Sequence, residues 1–219
     1  MRIRVLGLRL CVIAITLPAL CRESNAAAAD PSALVAKVGV QLKEIVGNNS
    51  LTPIERQQRF RGVIDEAFSF STISRFVLGH YWRGSSITLQ QEFDHVFEDY
   101  VVQMMGGRFA DYSGESMNVT ATRAESEQST VVSTVIVSPD GEPPAKVDWR
   151  VQNTPAGFKI TDISVSGVSM AITYRDEFAA VLDRDGGRIS TLISDLRAKL
   201  AGRSTKSAAG GAATTESGP

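Results

Sequence analysis

Hydrophobic positions along the chain change period once, between Gly157 and Phe178. From Phe158 to Val165 apolar side chains nearly alternate with polar ones, as on a half-buried strand. Beyond Gly167 the spacing of Tyr174, Phe178, Val181 and Leu182 follows one face of a helix. The segment turns a sheet into a helix, so strands must pair with it from upstream and helix must pack back after it.

Upstream, two amphipathic helices are predicted first. Asp30-Pro31-Ser32 is a helix start, and Leu34, Val38, Leu42, Ile45 and Val46 form the buried stripe that follows, over residues 31–47. Thr52-Pro53-Ile54-Glu55 has the spacing of a capping box, with Phe60, Val63, Ile64 and Phe68 behind it. A short aromatic helix follows and ends at Gly79. The longest helical pattern begins near Ser86 and carries Phe93, Phe97, Tyr100, Val101, Met104, Met105 and Phe109, a wide stripe of aromatic and thioether side chains.

From Met117 the texture is that of strands. Met117, Val119 and Ala121 alternate with polar residues, Thr130 to Ser138 is rich in β-branched residues, and Val147, Trp149 and Val151 alternate again. With Phe158 to Ser166 this predicts about four strands in an antiparallel meander. Parity fails once, between Phe158/Ile160 and Ile163/Val165, which predicts a bulge near Thr161-Asp162. Helix from Val168 to Asp183, a break at Arg184-Asp185-Gly186-Gly187 and a final Leu-rich helix complete an α+β domain.

The two ends read differently from this body. Arg2, Arg4 and Arg9 precede an apolar run from Leu10 to Leu20, and Ala26 to Ala29 follow, so residues 1–29 are expected to be a secretory signal peptide cleaved near Ala27–Ala29. The run is shorter than the roughly 18 apolar residues of a membrane span. Cys11 and Cys21 both fall in this segment, so the mature body, residues 30–202, is expected to hold no disulfide. Cys21 is a poor candidate for lipid attachment, because Leu20 stands where a small residue is expected. Residues 203–219, mostly Ser, Thr, Ala and Gly, read as a disordered tail. Loss of the leader removes four Arg and one Glu and moves the net charge from -1 to -4, which argues against nucleic acid as a partner.

Reactive chemistry is sparse. His95 and Glu98 are three apart on a helix, but one such pair is no metal site, and His80 beside Gly79 reads as a helix-end residue. Ser169 lies in Ser-Gly-Val-Ser-Met, which lacks the second glycine of a nucleophile elbow. Asp148 and Asp162, both on strands, call for ion-pair partners, with Arg150 and Arg175 as candidates. No cofactor motif appears and no enzyme is expected.

Gly79-His80-Tyr81-Trp82-Arg83, then Gln91, Phe93, Phe97 and Tyr100, then Tyr112-Ser113-Gly114, resemble the first half of the Mla-type periplasmic phospholipid carriers, the toluene-tolerance family. Phe158-Lys159-Ile160, Asp162, Gly167-Val168-Ser169, Arg175, Phe178, Gly186, Gly187 and Leu192 to Leu196 resemble the second half. Ser169 to Thr173 with Glu177-Phe178 is most similar to the hopanoid-biosynthesis-associated branch, HpnM. The resemblance covers residues 33 to 200. Phe158 stands where Trp is common, and Ser166 where an acidic residue often precedes the glycine.

The resemblance implies a strongly curved antiparallel sheet covered by N- and C-terminal helices, a nuclear-transport-factor-like cone around an apolar pocket. It also implies a periplasmic carrier of a hopanoid or phospholipid, with an inner-membrane lipid transporter and an outer-membrane complex as partners. Phe76, Trp82, Phe93, Phe97, Tyr100, Val101, Met104, Met105, Phe109, Trp149, Val165, Met170 and Tyr174 are expected to line the pocket. Two other readings stay open: an adaptor with a filled core that docks on an envelope transporter, and a small periplasmic hydrolase.

Overall fold

The computed structural model describes residues 30–106 and 114–212, with side chains as far as Arg203. Its helix starts follow the sequence signals. The Asp30 side chain accepts from the Ser32 N–H at 2.9 Å and Pro31 occupies the first turn, opening α1, Pro31–Gly47. At α2, Pro53–Ala67, the Thr52 hydroxyl accepts from the Glu55 N–H at 3.2 Å while Glu55 accepts from the Thr52 N–H at 2.9 Å, a reciprocal capping box.

Phe68 ends α2 in extended backbone and bridges to Ile160, and the next N–H, of Ser69, donates to the Ile160 carbonyl at 3.0 Å. The chain is thereby pinned to the sheet just before α3, Phe70–Leu78. Gly79 has a φ of +55°, a conformation that costs other L-residues free energy, and a Cβ there would stand 3.5 Å from the Arg175 guanidinium. It separates α3 from the short α4, His80–Arg83. Next comes α5, Ile87–Gly106, about 30 Å long at its 1.5 Å rise per residue.

The strands are β1, Ser116–Ala124; β2, Ser129–Val137; β3, Ala145–Thr154; β4, Gly157–Val165; and β5, Val168–Ser169. They lie in chain order in an antiparallel meander that does not close into a barrel. The expected four strands are present, and the two-residue β5 makes a fifth. Ser166 and Gly167 form the turn between β4 and β5 with φ of 50° and 86°, the left-handed pair that a two-residue hairpin requires. The register slips opposite Arg150/Val151, leaving Thr161 unpaired, which is the bulge that the broken alternation predicts. A second slip, at Thr120 in β1, has no such signal.

From β5 the chain enters α6, Met170–Arg184, capped by the Ser169 hydroxyl, which accepts from the Ile172 N–H at 3.1 Å. The Gly187 N–H donates to the Leu182 carbonyl at 2.7 Å and closes that helix. The last helix, α7, runs from Ile189 to Ala212, so helical backbone continues past residue 202, where composition alone places the start of a tail.

Packing divides into three clusters. One joins α3, α5, α6 and α7 around Phe93, Phe97, Phe178, Leu182 and Leu196, all nearly inaccessible. A second joins α1 and α2 to the sheet face bearing Val132, Val147, Trp149, Val151 and Ile160. The third is small, with Phe60 and Ile64 of α2 against Val102 of α5. Phe68 packs against all three.

Candidate functional site

The clusters do not fuse. Between them lies a cavity of about 410 Å³. Helix α5 supplies one wall with Phe97, Val101, Met104 and Met105; the α2–α3 junction supplies Phe68, Phe70 and Ile73. The opposite wall is β4 with Thr161, Asp162, Ile163 and Val165, continued by Met170, Ala171 and Tyr174 of α6. The walls stand apart for local reasons: the Ser69–Ile160 bond pins α3 to β4, while the bulge and the β4–β5 turn bring α6 back over the sheet.

The wall is greasy and adaptable. Three of its side chains are Met, whose unbranched thioethers change rotamer at little cost. Hydrocarbon is the guest that such a wall suits. A larger groove of about 1130 Å³ between α1 and α2 is open to solvent and lined by Lys43, Glu44, Arg59 and Glu66. We take the apolar cavity as the candidate site because burial there rewards an apolar guest.

Asp162 is the carboxylate of the cavity wall, and its hydrogen-bonding capacity is already in use. Ser169 Oγ donates to it at 2.6 Å, the Ala171 N–H at 3.0 Å and Arg150 Nη1 at 3.2 Å. The bonds tie β4 to the first turn of α6, where a negative charge is favourable. Of the two candidate partners, Arg150 pairs with Asp162 and with Glu125, whereas Arg175 lies over the Phe76 ring at 5.0 Å. Asp148 accepts from the Ser133 hydroxyl at 2.5 Å.

His95 and His80 are both exposed, the latter against the Tyr81 ring at 3.9 Å. Glu98 does not face His95 but meets Arg61 of α2 at 3.3 Å. Burial first, and then the Asp65 carboxyl hydrogen-bonded to it, push Glu98 up to about 7. Among the described residues no group of three His, Cys, Asp or Glu is placed to hold a metal ion, and no helix is long and apolar enough to cross a membrane.

Of the thirteen side chains expected at the pocket, Phe97, Val101, Met104, Met105, Val165, Met170 and Tyr174 surround the cavity. Five others do not. Phe93 and Tyr100 are buried within the helical cluster, and Trp82 packs on that cluster's edge. Phe76 is 39% exposed. Trp149 points into the α1–α2 cluster, its indole N–H donating to Thr134 Oγ1 at 3.0 Å. Phe109 lies outside the described residues. The expectation overlooked Phe68, Phe70, Ile73, Thr161, Asp162, Ile163 and Ala171; the broken alternation at Thr161-Asp162 was the available signal for the β4 wall.

An open, helix-backed antiparallel sheet around an apolar cavity defines the class: an α+β protein with a hollow between its helices and its sheet. More narrowly, the chain belongs to the MlaC family, whose sequence pattern matches residues 34–198. It is similar to the toluene tolerance protein ttg2D of Pseudomonas putida, at 21% identity over 121 residues, 55% of this chain and 56% of that protein. The chain thus spans little more than half the length of that relative. It also shares its fold with the phospholipid-binding protein of Ralstonia solanacearum, whose structure holds a phospholipid. The TM-score is 0.70 at 24% identity, over 79% of this chain and 98% of that one.

Proposed function

We propose that this protein is a periplasmic lipid carrier. It shields the apolar part of a phospholipid, or of a hopanoid as in the HpnM branch, while the lipid passes between inner and outer membranes. Residues 1–29 act as its export signal, and its partners are an inner-membrane lipid transporter and an outer-membrane complex. The observation that carries the reading is the cavity itself: an apolar, Met-lined space inside a folded domain, in a family one of whose fold relatives is a phospholipid-binding protein.

The energetics require such a space. Each buried methylene contributes on the order of 0.8 kcal/mol, so a lipid with about thirty apolar carbons loses roughly 20 kcal/mol on entering water. Exchange between membranes is practicable only if a protein offers nearly the same burial. Met104, Met105 and Met170 give the wall room to adjust to the lipid that it takes up.

An adaptor needs a filled core, and a hydrolase needs a free base. The cavity speaks against the first; the bonded states of Asp148 and Asp162 and the exposure of His80 speak against the second.

Val101→Glu tests the assignment by placing a charge in the wall. The mature wild type, purified from its native compartment and extracted with organic solvent, should release a lipid detectable by mass spectrometry. The variant should release none while its circular dichroism is unchanged. Equal lipid content in the two proteins would refute the placement.

A further inference from the structure

The β4 wall of the cavity carries two polar side chains in succession. Thr161 and Asp162 both border the cavity, although neighbours on a regular strand point to opposite faces. The bulge is the cause. Arg150 pairs with Asp162 and Val151 with Ile160, so Thr161 is left out of register and its side chain is re-aimed. The wall's third polar side chain, Tyr174, stands apart from them on α6, its ring edge-on to Phe97 at 5.2 Å.

Thr161 is buried at 7% exposure, yet its hydroxyl is loosely held. Its bond to the Arg150 carbonyl is 3.5 Å long, against about 2.5–3.0 Å for an ordinary hydroxyl bond. Among the described residues nothing donates to its oxygen, which leaves two lone pairs open. Asp162, equally buried, accepts from Ser169, Ala171 and Arg150, three of the about four bonds that a carboxylate can take.

The threonine proton has the Arg150 carbonyl to go to, and a carboxylate has no proton to give, so what the pair lacks is a donor. An acceptor that faces hydrocarbon gains nothing from a guest. One that faces a hydroxyl gains a hydrogen bond where water does not compete for it.

We propose that Thr161, with the spare acceptor capacity of Asp162 beside it, binds a hydroxyl group of the guest, so that the cavity selects an apolar molecule bearing an alcohol over one whose oxygen can only accept. This rests on the carrier reading and deepens it, making Thr161 a residue that sets specificity within the same cavity.

The test compares two molecules that differ only in the donor. Hexadecanol and its methyl ether, in the same detergent micelles, each compete with a pyrene-labelled alkane for the mature protein, and each is corrected for its own partition into the micelles. A neutral hydrogen bond corresponds to a factor of about three to ten, so the wild type should prefer the alcohol by that much. Thr161→Val, which exchanges the hydroxyl for a methyl of similar size, should bring the two close to parity and leave the affinity for the ether unchanged. Thr161→Ser, which keeps the hydroxyl, should retain most of the preference. Should the valine variant fail to fold, Thr161→Ala carries the same comparison.

Were Thr161 only a filler of the bulge, the valine or alanine variant would keep the full preference for the alcohol. That outcome, or a wild type that takes alcohol and ether equally, overturns the hydroxyl site while leaving the carrier reading intact. A wild type that binds neither molecule nor the pyrene probe overturns the carrier reading and this inference with it.

Discussion

Two adjoining sides of α5 use similar side chains to opposite ends. On one side Phe93 and Phe97 stack at 5.4 Å, Phe178 meets both edge-on, and Leu182 and Leu196 close the remaining gaps. On the other, Val101, Met104 and Met105 line the cavity, with Val101 and Met104 touching the cluster only at its edge. Phe97 belongs to both. The filled side works as a rigid backstop because aromatic rings in edge and stacked contact have few alternative arrangements. The hollow side is made of residues that lose little by moving, so one helix separates a region selected for packing from one selected for accommodation.

The largest expected effect lies on the filled side. Phe178→Ala should cost about 3–5 kcal/mol, read as a shift in the denaturation midpoint at unchanged slope. A loss below about 1 kcal/mol would mean that this cluster is no better packed than the cavity wall, and the contrast would fail.

Next comes the brace of the hollow side. Asp162→Asn removes the charge that Ser169, Ala171 and Arg150 share, and should cost about 1–3 kcal/mol. Hydrogen exchange at the Ala171 amide should speed up before exchange in α5 does. Uniform acceleration would show that the bond supports the whole domain rather than one wall.

A pH dependence should follow from the α2–α5 contact behind the cavity. Glu98 is held near 7 in the folded protein against an ordinary 4.5. Between those values the folded state keeps a proton that the unfolded chain has lost, so the contribution of Glu98 to stability is full below 4.5 and is lost as pH rises through 7. With Arg61 opposing the loss and 19% of the side chain exposed, the fall should be about 2 kcal/mol, and Glu98→Gln should flatten the profile. A variant with the wild-type profile would assign the proton elsewhere.

The smallest effect is expected at Val101→Ala, where a side chain that lines the cavity packs only on the edge of the helical cluster. It should cost under about 1 kcal/mol in the same denaturation measurement. A cost matching that of Phe178→Ala would mean that the hollow is filled in solution.

Much of the scaffold was legible from local chemistry. Asp30 and Thr52 mark helix starts because orphan N–H groups need nearby acceptors, and that requirement is written within three residues. The bulge at Thr161 showed as a parity break because strand alternation is strict. The side of α5 that is hollow was not legible. A period of 3.6 marks which positions leave water, and both a neighbour and an enclosed void satisfy it equally.

The stripe therefore groups Phe93 and Tyr100 with Val101 and Met104, though only the latter two reach the cavity. Phe68 and Phe70 escaped notice as wall residues because their positions depend on the Ser69–Ile160 bond, a contact across more than ninety residues. Trp149 read as lining because a large amphipathic ring suits a pocket. Its partner Thr134 is fixed by β2–β3 register, which composition does not reveal.

Leaving the sheet unclosed has a consequence at its far border. β1 is nine residues long, mostly exposed, and among the described residues no strand pairs with its outer edge. Such a border is where two copies of a protein zip together at high concentration. The slip at Thr120 makes the border crooked, and Arg123 puts charge upon it, both of which discourage a second strand from settling there. The openness that lets one margin of the sheet wrap a cavity is thus kept from becoming adhesive at the other.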